Sequence, residues 1–253
     1  MSVLTMRLGG PLQAWGSSSR LDRYRRTEGF PTKSAVVGLL AAALGRARTD
    51  PIEDLVRLRF GVRADRPGEI LRDFHTVSSL FDEKRRFDPA NGRLPKAGGG
   101  YRRAATSTQV TERFYLTDAC FVAGMEGDGR LLDDLDRSLS CPVFPPFLGR
   151  RSCLPDAPLR LGIHPGSLVE VLRTVPWQGG VHAKSAAYSV RCEAVIEDEH
   201  GDRERFDEVR SFDPVNRSYG RRRVRYHYFD VVNSASERGS LDGHDPMALL
   251  GGD

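Results

Sequence analysis

The order of elements in the first 45 residues constrains the fold more than any other stretch of the chain. A short apolar run, Val3 to Leu8, leads into the loop Gly9-Gly10-Pro11-Leu12-Gln13-Ala14-Trp15-Gly16. A basic stretch with Arg20, Arg23, Arg25 and Arg26 follows, and Pro31-Thr32-Lys33-Ser34 then opens a helix that Thr32 can cap and Gly45 can end. Val36, Val37, Leu40 and Leu44 recur at helical spacing, while Ala35, Gly38, Ala42 and Ala43 are small. Such a helix is suited to lie close against a sheet. Glycine amides, arginines and a helix N-terminus thus come together in sequence, and each is a device for holding phosphate oxygens.

The rest of the chain extends this beginning into a mixed fold. Leu55 to Arg63 alternates apolar and polar residues and predicts a half-buried strand. Glu112 to Gly124 is strand-like, Asp128-Gly129 is a turn, and Leu131 to Leu139 has leucines at helical spacing. Between them, His75 to Val110 is rich in Arg, Lys, Gly and Pro, and Gly98-Gly99-Gly100 breaks its middle. A segment this long without helical periodicity predicts a protruding arm, a hairpin leaving near Thr76 and returning near Thr106 to Thr111; a surface loop without fixed structure is the other reading. Strand, helix, strand, arm, strand, helix approaches the βαββαβ order of a ferredoxin-like or RRM-like sheet. Beyond it, Leu168 to Val175 and Tyr188 to Ile196 predict strands, His200-Gly201-Asp202 a turn, and Arg205 to Arg210 the returning partner. Val224, Tyr226 and Tyr228 alternate with Arg225 and His227. The expected architecture is α+β: a palm over residues 1–155 interrupted by a 75–110 thumb, a β-rich region over 156–233 packed on it, and a loosely ordered 234–253 tail.

Composition sharpens the functional reading. Of 253 residues, 38 are Lys or Arg and 34 Asp or Glu, a net charge of +4, and lysine appears only at Lys33, Lys84, Lys96 and Lys184. Arginine suits forked phosphate contacts, although a GC-rich genome raises it without any binding role. The charge is clustered: Arg20 to Arg26, Lys84 to Arg103 and Arg217 to Arg225 are basic, whereas Asp133 to Asp136 and Glu197 to Glu208 gather acids. That distribution suits nucleic acid on one face and protein on another. No signal-peptide pattern and no membrane-length apolar stretch is present, and Cys120, Cys141, Cys153 and Cys192 form no CxxC, so a cytoplasmic protein with reduced thiols is expected.

In the opening loop, Gly10 allows close approach, Gln13 can bond a base edge or a backbone carbonyl, and Trp15 can stack on a base or pack into the core. Lys33-Ser34 at a helix start invites comparison with a P-loop, but Thr32 stands where Walker A needs the glycine directly before the lysine, so nucleotide hydrolysis is not expected. Phosphate binding at the helix start and an ordinary capped helix both remain open there. Gly149-Arg150-Arg151-Ser152 offers flexible backbone, two guanidinium groups and a hydroxyl. The six histidines are scattered, with no metal spacing and no GxSxG elbow, so no metal or cofactor is expected. The best acid-base set for a metal-independent RNase is His75 with Tyr24 and Lys33.

Leu8 to Gly16, Pro31 to Gly45 and Phe147-Leu-Gly-Arg-Arg-Ser-Cys-Leu-Pro155, in that order, with Ser211-Phe-Asp-Pro214 and Tyr219-Gly-Arg-Arg222, resemble the CRISPR-associated CasD family of the RAMP superfamily. The resemblance covers nearly the whole chain apart from the tail. It implies an RRM-like palm with a β-hairpin thumb, and a non-catalytic subunit of a type I-E Cascade complex that binds the five-prime handle of the crRNA. It also implies contact with the adjacent backbone subunit and the large PAM-reading subunit, and through the complex with target DNA. A type I-C relative cleaves the repeat, which makes a CRISPR repeat endoribonuclease the alternative. On the resemblance, Gly10, Gln13, Trp15, Arg20, Arg26, Lys33, Ser34, Gly149, Arg150, Arg151 and Ser152 form one handle-binding surface, and by their chemistry Arg102 and Arg103 join it from the thumb.

Overall fold

The computed structural model of the chain describes residues 1–16, 24–78, 93–95, 101–103, 108–180 and 188–233. In chain order the elements are β1 (Ser2–Gly9), β2 (Leu12–Gln13), β3 (Tyr24–Arg25), α1 (Lys33–Ala43), α2 (Glu53–Val56), β4 (Arg59–Arg66), β5 (Glu69–Ser78), β6 (Arg93–Pro95), β7 (Tyr101–Arg103), β8 (Thr108–Thr117), β9 (Cys120–Gly127), α3 (Gly129–Ser140), β10 (Arg160–Pro165), α4 (Leu168–Thr174), β11 (Ser189–Glu197), β12 (Arg203–Ser211) and β13 (Ser218–Val232). Seven of the strands form one sheet in the order β10-β1-β9-β4-β11-β13-β12. Its first four strands are connected β1-α1-β4-β9-α3-β10, the predicted βαββαβ order, with β5 to β8 inserted as an excursion between β4 and β9. No helix among the described residues is long and apolar enough to cross a membrane.

The helices begin where local chemistry starts them. The Thr32 side chain accepts from the Ala35 amide at the head of α1, and Asp128 accepts from Arg130 and Leu131 at the head of α3. Leu132, Leu135 and Leu139 give α3 a single buried stripe. Both helices lie on one face of the sheet, where Leu4, Met6, Leu8, Phe60, Val62 and Met125 join Val36, Val37 and Leu40 in the main core. A smaller core on the opposite face holds Val3, Val122, Ile196 and Phe229 against Leu168, Val171 and Leu172 of α4. That helix approaches closely because Gly61 and Gly124 are paired beneath it; a Cβ on them would stand 2.9 Å from Leu172 and 2.6 Å from Leu168.

One buried arginine fixes α4 in place. Arg63 has no exposed surface, and its guanidinium holds Asp65 through Nε (2.6 Å) and Nη2 (2.9 Å). It also donates to the carbonyl of Leu172 in the last turn of α4 and to those of Val175 (2.7 Å) and Pro176 (3.3 Å) just beyond it. Asp65 in turn accepts from the Gln178 amide at 2.6 Å, and its own carbonyl accepts from the Trp177 indole at 2.8 Å. The loop after α4 is thereby held on the sheet.

The structure departs from the sequence reading at several places. Leu168 to Thr174 is helix, not strand, because Ser167 and Glu170 form a capping box that starts it. The predicted strand over Leu55 to Arg63 is split between α2 and β4. The run from Glu112 to Gly124 is two strands, broken at Asp118, whose φ is +52°. The strand after His200-Gly201-Asp202 pairs with β13 rather than with β11. The strand beyond residue 155, β10, pairs with β1, and β11 pairs with β4, so the C-terminal strands continue the palm's sheet. The 234–253 tail lies outside the described residues.

Arg63→Ala would strand Asp65 in the interior and leave the end of α4 without donors. A loss of about 3–5 kcal/mol is expected, read as a lower midpoint in urea unfolding.

Candidate nucleic-acid interface

Two loops far apart in sequence are zipped together by their backbones. The Ala14 amide donates to the Leu148 carbonyl at 3.0 Å, and the Asp156 amide to the Gly9 carbonyl at 3.0 Å. Gly10 faces the Leu154 carbonyl, which a Cβ would approach to 2.7 Å. Gly149 has φ +85° and meets the Ala14 carbonyl so closely that a Cβ would lie 1.7 Å from it. Beneath this seam Arg7 grips Asp156 with both terminal nitrogens, and its guanidinium occupies the space a Gly9 side chain would need. The hydrogen bond from Arg7 holds the Asp156 carboxyl below the usual carboxylate range, and the same bond raises Arg7.

The seam adjoins the root of a β ribbon. β5 and β8 pair from Glu69 opposite Thr117 to Ser78 opposite Thr108, and this ribbon is the described base of the predicted thumb. Along the other edge of β8, β2 pairs at Leu116 and Thr117, and β3 runs parallel with Arg25 opposite Arg113. Alternation gives the ribbon two unlike faces. One presents Ile70 (68% exposed), Phe74 (60%) and Val110, with the Arg72–Glu112 ion pair between them. The other carries Asp73, His75, Thr111, Arg113 and Tyr115.

On that second face the Arg150 guanidinium stands over the Tyr115 ring, 4.6 Å from its centroid, and donates Nη2 to the Arg25 carbonyl at 3.0 Å. Its Nη1 has no partner among the described residues, and neither have Arg113 Nε and Thr111 Oγ1, although all three atoms are withdrawn from water. Leaving a buried donor unpaired costs about 1–3 kcal/mol, more where the group is charged. Arg26, Arg151 and Ser152 are exposed around the same junction. Donors with no acceptor among the described residues are what an added anion satisfies.

The remaining predicted contacts are turned inward. Gln13 is fully buried; its amide donates to the carbonyls of Leu8 (3.0 Å) and Ala119 (2.7 Å) and its oxygen accepts from the Trp15 indole at 3.0 Å. Trp15 is fully buried in the main core, so it has no ring face for a base. Lys33 is 2% exposed and pairs with Glu197 at 2.9 Å. Ser34 is buried against Thr32. The anion at the head of α1 is Asp207, which accepts from the Lys33 amide at 3.0 Å and binds Arg222 at 2.7 Å. The third arm of the predicted cradle is therefore filled by the protein's own carboxylates. Arg20 lies outside the described residues, as do the side chains of Arg102 and Arg103, whose backbones form β7 opposite β6.

Two of the residues considered for catalysis, His75 and Lys33, are each engaged by a different carboxylate, and the side chain of Tyr24 lies outside the described residues. His75 bonds Asp73, Lys33 is enclosed with Glu197, and Tyr24 flanks β8 on the edge away from β5. No cluster of three metal-ligating side chains occurs among the described residues. Sequence reasoning missed Thr111, Arg113 and Tyr115; their spacing at every second residue within a strand-like run was the available signal.

Gly149→Ala places a methyl group on the Ala14 carbonyl at a positive φ. The protein should lose more than about 1 kcal/mol, with faster hydrogen exchange at the Ala14 amide. For Asp156 the folded-state pKa is depressed, so its contribution is complete above the unfolded value near 4 and disappears as pH falls through the folded value. Asp156→Asn should lower stability at pH 7 and flatten the acid limb of a stability–pH curve measured by urea unfolding.

The family model described as CRISPR-associated protein (Cas_Cas5) matches residues 3–225. A relative described as CRISPR system Cascade subunit CasD, from Escherichia coli strain K12, is 34% identical over 175 residues, which are 64% of this chain and 70% of the relative. Among solved structures, a chain of a CRISPR RNA-guided surveillance complex superposes with a TM-score of 0.72 at 33% identity, covering 91% of each chain. A structure described as a Cas protein superposes with a TM-score of 0.67 at 32% identity, covering 92% of this chain and 99% of that one. This chain belongs to the Cas5 family of CRISPR-associated proteins.

Proposed function

We propose that this protein is a non-catalytic RNA-binding subunit of a type I-E CRISPR Cascade complex, working in the cytoplasm. In this reading it holds the five-prime handle of the crRNA at the root of the β5–β8 ribbon, caps the complex beside the backbone subunit and helps dock the large subunit. The likeness to a Cascade subunit and to a chain of an RNA-guided surveillance complex supports the setting. The observation that carries the site is the set of donors without a partner among the described residues, Thr111 Oγ1, Arg113 Nε and Arg150 Nη1, beside the zipped loops.

The chemistry follows from that set. Arg150 is held at two points, the Tyr115 ring and the Arg25 carbonyl, so a phosphate meets a guanidinium already oriented. Gly149 and Gly10 contribute by bringing the backbones together, while Arg26, Arg151 and Ser152 supply outer contacts. Arg20, Arg102 and Arg103 belong to the same proposal from the neighbouring segments. Gln13, Trp15, Lys33 and Ser34 support the site from inside the fold and do not touch RNA.

Binding of a labelled handle RNA to the isolated full-length chain tests this. Arg113→Ala with Arg150→Ala should weaken binding about tenfold or more, since hydrogen bonds to charged groups contribute about 1.5–3 kcal/mol. The slope of log affinity against log salt should fall by about 0.7 for each phosphate that is no longer neutralised. Unchanged affinity and slope would remove the site. Incubation with repeat RNA should leave it intact; defined cleavage abolished by His75→Ala would instead establish the endoribonuclease.

A further inference from the structure

Across β11 and β13 the face of the sheet that carries α1 and α3 runs out from under those helices. Val195, Val224 and Tyr226 still pack on the main core. Farther along the same face, Glu193 stands opposite Tyr228 and Arg191 opposite Asp230, and here the surface is open: Tyr228 is 60% exposed. Each tyrosine carries an arginine. The Arg203 guanidinium lies 4.7 Å from the Tyr226 ring centroid, and that of Arg191 lies 5.4 Å from the Tyr228 centroid. The rings are held as well, with Arg205 Nη2 donating to the Tyr226 hydroxyl at 3.1 Å and the Tyr228 hydroxyl donating to Glu193 Oε1 at 3.3 Å. Among the described residues neither Arg191 nor Arg203 is paired with a carboxylate. Tyr226, Tyr228, Arg203, Arg225, Glu193 and Asp202 line a shallow hollow of about 610 Å³.

We infer that this face docks another protein subunit, one that brings carboxylates to Arg191 and Arg203 and an apolar side chain into the hollow between the two tyrosines. Three features converge on that occupant. Fixed, half-exposed Tyr and Arg side chains are the usual anchors of protein interfaces, because they add contact area with little further loss of freedom. A guanidinium already laid on a ring offers its fork to a planar carboxylate. Charge decides against a polyanion: Glu193, Asp202 and Asp230 are interleaved with the arginines, so a continuous phosphate chain meets repulsion at every other position, whereas discrete carboxylates can be placed between them. At the ribbon root Asp73 shares the face with Thr111 and Arg113, but it is engaged by His75. The surface therefore separates a protein contact from the proposed RNA contact on the same chain.

The test uses the full-length chain with Arg191→Glu plus Arg203→Glu, and separately with Tyr228→Ala. All three positions are exposed, and thermal melts compare each variant with wild type. Each variant is co-expressed with the rest of its assembly and purified, and subunit stoichiometry is read by native mass spectrometry; each is also titrated alone with handle RNA. The expected result is about tenfold less of one protein subunit per copy of this chain in both variants, with Arg203→Lys intermediate and RNA affinity of the isolated chains within about twofold of wild type. A complete set of subunits at wild-type stoichiometry overturns the inference. Weakened RNA binding by the isolated variants also overturns it, and would make the face a nucleic-acid surface.

Discussion

A single absent methyl group governs the working edge of this molecule. At Gly149 the chain takes a left-handed conformation directly against the Ala14 carbonyl, where no side chain fits. That contact closes a seam between the loop after β1 and the loop before β10. Because the seam is made of backbone groups, Ala14 to Leu148 and Asp156 to Gly9, it is indifferent to the identity of most side chains around it. It nevertheless sets where Arg150 emerges, over Tyr115 and against Arg25. Loops that carry function are commonly positioned by a rigid scaffold; here they also brace each other.

Among the described residues three cations are buried against carboxylates, and a fourth is tied down at the start of β4. Lys33 answers Glu197, Arg222 answers Asp207, Arg63 answers Asp65, and Arg59 bonds both the Glu197 carbonyl and the Glu126 carboxylate, which also accepts from the Leu168 amide at the head of α4. These ties stitch α1, α4 and the sheet together. Net charge is thus a poor guide to where a polyanion lies. The informative cations are those at the ribbon root, Arg113 and Arg150, each with a donor that has no acceptor among the described residues. With α4 drawn onto the sheet by Gly61, Gly124 and Arg63, the broad face on which an RRM stacks bases is covered by a helix, and the proposed site lies at the rim.

Local pattern makes much of the fold legible. The strand–helix opening, the leucine stripe of α3, the excursion after β4 and the alternation of β13 all follow from periodicity in adjacent residues. Leu168 to Thr174 reads as a strand because Leu168, Val169, Val171 and Leu172 make a short apolar run, whereas Ser167 and Glu170 at capping-box spacing mark a helix. The site is harder to read. Whether Trp15 faces solvent or core depends on partners brought together by the sheet. Lys33 meets its carboxylate 164 residues later. No window of sequence contains both members of such a pair, so a phosphate-like constellation and its internally neutralised counterpart look the same until the chain is folded.

The placement of Asp207 at the head of α1 has a consequence for work in solution. Its carboxylate is tethered, so its effective concentration at the helix end is set by the fold and does not fall on dilution. Sulfate or phosphate in a buffer finds no vacancy there to fill. Heat released when such ions are titrated into the protein must therefore originate elsewhere on its surface, which turns an inorganic anion into a selective calorimetric reporter of the outer guanidinium groups.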